Sequence, residues 1–198
     1  MTTIEEELSA YKASTQRTVL TFVGYSGAGY EDERAMLAAA RLILANKDAS
    51  QVTVNVGATA AGIGRVYELA KQMGFATMGI VSALARDGAV GLSPWVDRVF
   101  YVRDSSWGGL DAATGELSPT SQAIVRYSDE LVGIGGGDIA RDELIAALQA
   151  GKPVTFVPAD MHHQTALARA QSRGEVLPVD FRGTAHDVLG PERSPEQE

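Results

Sequence analysis

Three times in this chain a short run of β-branched and apolar residues stops at glycine and passes directly into a segment with helical spacing. That recurrence leaves few folds open. Thr18 to Val23 ends in Gly24-Tyr25-Ser26-Gly27-Ala28-Gly29, and Val52 to Val56 ends in Gly57-Ala58-Thr59-Ala60-Ala61-Gly62-Ile63-Gly64. Leu131-Val132 leads into Gly133-Ile134-Gly135-Gly136-Gly137-Asp138, ahead of the helical run Ile139 to Leu148. Strands that alternate with helices predict an α/β fold, a Rossmann-like doubly wound parallel sheet in three αβα layers, because parallel strands need crossovers and the crossovers cover both faces. In such a sheet the βα turns all open on the carboxyl edge, where these folds take ligands.

Further strands are expected at Ala76–Val81, Arg98–Val102, Glu130–Ile134 and Val154–Val157. Met36, Ala40, Ile43 and Leu44 fall on one helix face, and Ile63, Val66, Ala70 and Met73 repeat the pattern before Gly74, which reads as a C-cap. After the triple glycine, Leu144, Ile145 and Leu148 are expected to point inward, and Gly151-Lys152-Pro153 to stop the helix. Residues 1–16 read as a peripheral N-terminal segment, 17–190 as one domain, and 191–198, rich in Pro and Glu without an apolar anchor, as a disordered tail. The stretch Arg103 to Pro119 is too long for an ordinary βα turn and is expected to be a lid.

Composition excludes several functions. The net charge of −8 argues against a nucleic-acid binder, whose affinity rests on clustered Lys and Arg. A small anion held by a few backbone dipoles remains compatible with that charge. With no cysteine there is no disulfide, thiolate metal site or cysteine nucleophile. The acidic start Glu5-Glu6-Glu7 lacks a signal-peptide pattern, and no run of about 18 apolar residues occurs, so a cytoplasmic protein without membrane contact is expected.

The glycine turns have two readings. Bare backbone N–H groups beside a helix N-terminus form an anion site, which makes Gly24, Tyr25, Ser26, Gly27, Gly57, Thr59, Gly62, Gly135, Gly136, Gly137 and Asp138 candidate ligand contacts. Equally, glycines serve tight connections that need a positive φ or close helix–strand packing. The first turn spaces its glycines G-x-x-G-x-G rather than G-x-G-x-x-G, and no acid ends the second strand, so a dinucleotide dehydrogenase is not indicated.

The succession of these motifs, a glycine turn after the first strand, Gly57-x4-Gly62-Ile63 after the second, Ser128-Asp129 before a later strand, then Gly136-Gly137 with an acid on the following helix, resembles the LOG-type Rossmann superfamily, also called lysine-decarboxylase-like. The resemblance covers residues 18–158. It implies nucleotide or phosphate binding at the carboxyl edge, a homodimer, and, in one branch, a hydrolase that releases the base from a nucleoside 5′-monophosphate. That branch carries Pro-Gly-Gly-x-Gly-Thr-x-x-Glu. Gly136, Gly137 and Glu143 match it, whereas Gly135 stands for the proline and Ile139-Ala140 for Gly-Thr. The branch's Arg-Lys pair falls on Thr120 and Ser121, so the charge that would stabilise glycosidic cleavage is missing there. Arg126 or Arg103 would have to replace it in space, and for Arg126 a solvated helix surface is the expected place.

Glu143 is the candidate catalytic acid or base, or a ligand contact, and Thr120 joins the candidate ligand residues. Asp160-Met161-His162-His163 invites a metal reading. Adjacent histidines project apart, however, and Asp160 fits an N-cap, so no metal is expected. Trp107 either stacks on a ligand ring or packs under its loop, with packing preferred, Trp95 reads as structural, and His186 lies beyond the core pattern. The function expected is a sensor or carrier that binds a nucleotide or nucleotide-derived phosphate, no cofactor beyond such a bound nucleotide being indicated. The alternatives are a nucleoside 5′-monophosphate phosphoribohydrolase and a carrier of a phosphorylated pterin-type cofactor.

Overall fold

The β-branched runs pair as one all-parallel sheet in the computed structural model, which describes residues 3–88 and 91–191. Its strands are β1 (Thr18–Gly24), β2 (Val52–Asn55), β3 (Ala76–Ser82), β4 (Arg98–Val102), β5 (Glu130–Ile134) and β6 (Val154–Val157), in the order β4-β3-β2-β1-β5-β6. Chain order runs outward from β1 to β4 and then returns to β5 on the other side of β1. The β1/β5 boundary is therefore the topological switch point. Five consecutive residues of β1, Val19 to Val23, are buried, as expected of a strand covered on both faces.

Helices α1 (Ile4–Thr15), α2 (Glu33–Ala45), α3 (Val66–Gln72), α4 (Leu84–Asp87), α5 (Pro119–Tyr127), α6 (Asp138–Gln149), α7 (His163–Arg173) and α8 (Gly183–Leu189) surround the sheet. On one face α2 and α3 bring Met36, Ala40, Leu44, Val66 and Ala70 against Leu20, Phe22, Val54, Val132 and Ile134. On the other, α1 and α5 bring Leu8 and Ile124 against Val19, Met78, Ile80 and Phe100, while α6 packs Leu144 and Ala147 near Val23 and Leu131. The C-cap of α3 is Met73 rather than Gly74, which follows it at φ +87°.

Two buried phenols hold the carboxyl ends of the strands. The Tyr67 hydroxyl donates to the Met78 carbonyl (2.6 Å) and accepts from the N–H of Val56 (2.7 Å) and of Ala58 (3.0 Å). The Tyr30 hydroxyl donates to the Ile134 carbonyl (2.7 Å) and accepts from Tyr25 N–H (3.1 Å), bridging β1 to β5 at the switch point. A Cβ at Gly24 would strike that hydroxyl, so this glycine is required by a structural contact.

Some expectations are corrected. In α6 the buried residues are Ala140, Asp142, Glu143, Leu144 and Ala147, whereas Leu148 is exposed and Ile145 only half-buried. Two acids occupy positions that the apolar pattern assigned elsewhere. The N-cap of α7 is His162, not Asp160, whose carboxylate instead lies 3.0 Å from His163 Nε2. His186 is buried, on a C-terminal helix that packs against α6. Beyond Pro191 the expected tail lies outside the described residues. No helix among the described residues is long and apolar enough to cross a membrane.

Candidate functional site

A cavity of about 470 Å3 opens at the carboxyl edge, beside the ends of β1, β2 and β3 and against α5 and α6. Ligand pockets for small molecules fall in this size range and in this place in open α/β sheets. Of the candidate residues, Gly24, Ser26, Gly27, Gly57, Thr59, Thr120 and Glu143 line it. Tyr25, Gly62, Gly135, Gly136, Gly137 and Asp138 do not.

The residues outside the cavity have structural partners. Burial pushes the Tyr25 phenol up to about 12, and its hydroxyl donates to the Ala159 carbonyl (3.2 Å), away from the cavity lining. Gly135 has φ +56° and presses on the Tyr25 ring, so a side chain there would collide with it. Gly136, at φ +131°, would push a Cβ into Ala140, and its carbonyl accepts from Ala185 N–H (3.1 Å) in α8. Thr184 Oγ1 donates to the Asp138 carboxylate (2.8 Å), so the C-terminal helix covers this turn. Gly137, the N-cap of α6, has open space where a side chain would go.

The other two turns are open to the cavity. Ile63 N–H donates to the Tyr25 carbonyl (2.7 Å) and clamps the second turn onto the first, an approach that Gly62 permits at φ +57°. The N–H groups of Ser26, Gly27, Ala60 and Ala61 donate to no other described residue. All four residues line the cavity at the ends of neighbouring parallel strands, where unpaired backbone N–H groups suit an anion.

Glu143 is the one charged residue among the described residues that line the cavity. Its Oε1 accepts from Ser121 Oγ (2.6 Å), which in turn accepts from Gly109 N–H (2.8 Å). Burial is the main cause that raises its carboxyl to about 7; Ser121 opposes the rise and the neighbouring Asp142 adds to it. Ser121 was legible only as a position where the resemblance expected a base; here it is the partner of the glutamate. Neither arginine supplies the missing charge. Arg126 pairs with Glu5 on the surface and Arg103 is exposed. Beside Ser121, Thr120 is 2% exposed, and its Oγ1 has no hydrogen-bond partner.

The 103–118 segment, of which Trp107 lines the cavity, packs next to these residues. Leu110 N–H donates to Asp142 Oδ2 (3.1 Å), Ser118 N–H donates to the Gly109 carbonyl (2.8 Å), and Gly108 lies against Ser121. Trp107 is 51% exposed and lines the cavity, so it is not packed beneath its loop. Trp95, expected to be structural, is 43% exposed, and its carbonyl accepts from Thr77 Oγ1. At the far side, His162 Nδ1 lies 3.0 Å from Thr165 Oγ1, and His163 stacks on Phe181. Among the described residues no group of His, Asp and Glu is arranged to hold a metal ion.

No known family model matches the chain, and no curated protein matches its sequence. Solved structures do resemble it. The molybdenum cofactor binding protein of the phototrophic bacterium Rippkaea orientalis aligns with 84% of this chain and 91% of its own, at 18% identity and a TM-score of 0.53. The Moco carrier protein of Chlamydomonas reinhardtii aligns over 80% of this chain and 85% of its own, at 18% identity and a TM-score of 0.50. TM1055, a structural-genomics target, aligns over 69% of this chain and 72% of its own, at 23% identity and a TM-score of 0.50. What this chain shares with them, at such identities, is the Rossmann-like three-layer fold.

Proposed function

We propose that the protein holds a small phosphorylated molecule with a planar ring in the carboxyl-edge cavity, as a carrier or sensor, and does not cleave it. The observation that carries this reading is the pairing of free backbone donors at Ser26, Gly27, Ala60 and Ala61 with a buried glutamate whose partner is a serine. The donors suit a phosphate. Glycosidic cleavage, by contrast, needs fixed positive charge or an equivalent where charge develops, and no basic residue is among the described residues that line the cavity.

The motif order supports placing the chain with the LOG-type proteins, as a binding member. Of the ligand classes considered, a phosphorylated cofactor of pterin type takes precedence over a nucleotide. The similar structures from Rippkaea and Chlamydomonas are a molybdenum cofactor binding protein and a Moco carrier protein, which favours carriage of a cofactor on this fold. A homodimer, as the resemblance implies, is part of the same reading.

The enzyme alternative has a direct test. Incubation with a panel of nucleoside 5′-monophosphates, followed by chromatography, should release no free base above the uncatalysed background. Steady base release that disappears in Glu143→Gln would overturn the carrier reading and make this a phosphoribohydrolase.

A further inference from the structure

We propose that Glu143 and Thr120 read the ring of the ligand, selecting an edge that presents a carbonyl, a ring N–H and an amino group in sequence, as guanine and pterins do. This rests on the carrier reading of the same cavity and names the ring that it takes.

The inference follows from unused hydrogen-bonding capacity. Ionised, a carboxylate offers about four lone-pair directions. Ser121 uses one at Oε1, and among the described residues nothing donates to Oε2. Two parallel N–H donors on one ring edge fit such a group as a bidentate pair. The Thr120 hydroxyl, buried and with no close hydrogen-bond partner although the Asp104 carboxylate lies beside it, begins the same turn of α5 that carries Ser121, and both Thr120 and Glu143 line the cavity. A buried hydroxyl left unpaired is costly, and a carbonyl next to the ring N–H would satisfy it. The polar groups at this end therefore read donor, acceptor, acceptor, the complement of the proposed edge. An adenine edge offers a donor and an acceptor instead and leaves one partner unmet. Trp107, half exposed at the cavity wall, supplies a face on which a flat ring can stack.

The surrounding charges make this recognition proton-linked. On its own helix Glu143 has Asp142, which is ion-paired to Arg141 (2.8 Å). From the 103–118 loop the nearby acid is Asp104, whose carboxylate accepts from Thr120 N–H (2.8 Å), and α5 contributes only the hydroxyls of Thr120 and Ser121. With its carboxyl raised to about 7, Glu143 is largely protonated in mildly acid solution and must lose that proton to accept two donors. Affinity for such a ring should rise as pH climbs from 6 to 8.

The test is calorimetric titration of the full chain with 5′-GMP, 5′-IMP, 5′-AMP and neopterin monophosphate at pH 6 and pH 8. IMP lacks the amino donor, AMP reverses the edge, and the pterin presents the same edge as guanine without the nucleoside. GMP, neopterin monophosphate or both should bind at least about tenfold more tightly than IMP and AMP, a loss typical of one unmade bond to a charged group. Whichever of the two binds more tightly identifies the source of the ring. Their affinity should increase from pH 6 to pH 8 by more than that of AMP, whose phosphate ionises over the same range, and Glu143→Gln should abolish the preference and reduce the pH dependence to that of AMP. Thr120→Val should weaken GMP and the pterin while leaving AMP unchanged. Equal binding of AMP, IMP and GMP by the unaltered protein would overturn this inference and leave the carrier reading standing. Binding of none of the four probes would overturn both.

Discussion

Glu143→Gln should remove most of the pH dependence of stability between pH 4.5 and pH 8 and stabilise the protein at the upper end. In the folded chain this carboxyl keeps its proton up to about 7, mainly because burial disfavours the charged form; in the unfolded chain it titrates near 4.5. Between those values the folded state binds more protons, so stability is complete below 4.5, declines as pH rises through 7, and levels off above it. The shift is worth about 3 kcal/mol. Urea unfolding at pH 5 and pH 8 checks it, since the unaltered protein should lose about that much between the two while the glutamine variant, neutral throughout, stays nearly flat. Parallel curves for the two proteins would mean that the cavity keeps Glu143 solvated and ionised.

Gly62→Ala should be among the most damaging single-methyl additions in the chain. At φ +57° any L-residue pays about 1–2 kcal/mol. The added Cβ would also run into the backbone carbonyls of Tyr25 and Ser26, which cannot move aside without parting the first two turns. Overpacking of that kind costs about 1–3 kcal/mol. Together they should take about 4 kcal/mol from the stability and lower Tm by roughly 10 °C. A fall of less than about 2 °C would show that the two turns do not clasp each other as described.

The strands were legible because each is a β-branched run bounded by a glycine, proline or polar break, and a parallel sheet buries such runs on both faces. The phase of α6 was not. Asp142 and Glu143 occupy buried positions, held by Arg141, Leu110 N–H and Ser121, and polar residues in a core face break the period on which the sequence reading depends. The C-terminal helix was missed for a different reason. Its contacts with Gly136 and Asp138 are long-range, and nothing local in Gly183–Leu189 foretells them.

The site was legible in part. Glycine turns converge on the carboxyl edge, yet a sequence does not distinguish a glycine bare for a ligand from one bare for a neighbour. Gly24 yields to Tyr30, Gly135 to Tyr25 and Gly136 to Ala140, while Gly27 faces open space. In the triple glycine, the most conspicuous ligand motif in the sequence, Gly135 and Gly136 meet neighbours and Gly137 faces open space, whereas in the less conspicuous first two turns Gly24, Gly27 and Gly57 line the cavity. The resemblance puts Thr120 and Ser121 where a basic pair would accompany Glu143. That they form a hydroxyl partner and an unpaired hydroxyl became visible only once α5 was set against α6.

Carriage of a phosphorylated ligand in the carboxyl-edge cavity, as proposed, is open to test by a single variant. Gly27 offers the most direct measurement, because it lines the cavity, a Cβ there meets nothing within 4 Å, and the backbone is outside the left-handed region. Gly27→Phe should therefore fold normally while it obstructs the ligand. Native mass spectrometry of the freshly purified protein should show a bound phosphorylated molecule, absent from Gly27→Phe at unchanged Tm. A protein that purifies empty and takes up neither neopterin monophosphate nor any nucleoside monophosphate, or a bound phosphorylated molecule that survives in Gly27→Phe, would contradict the account.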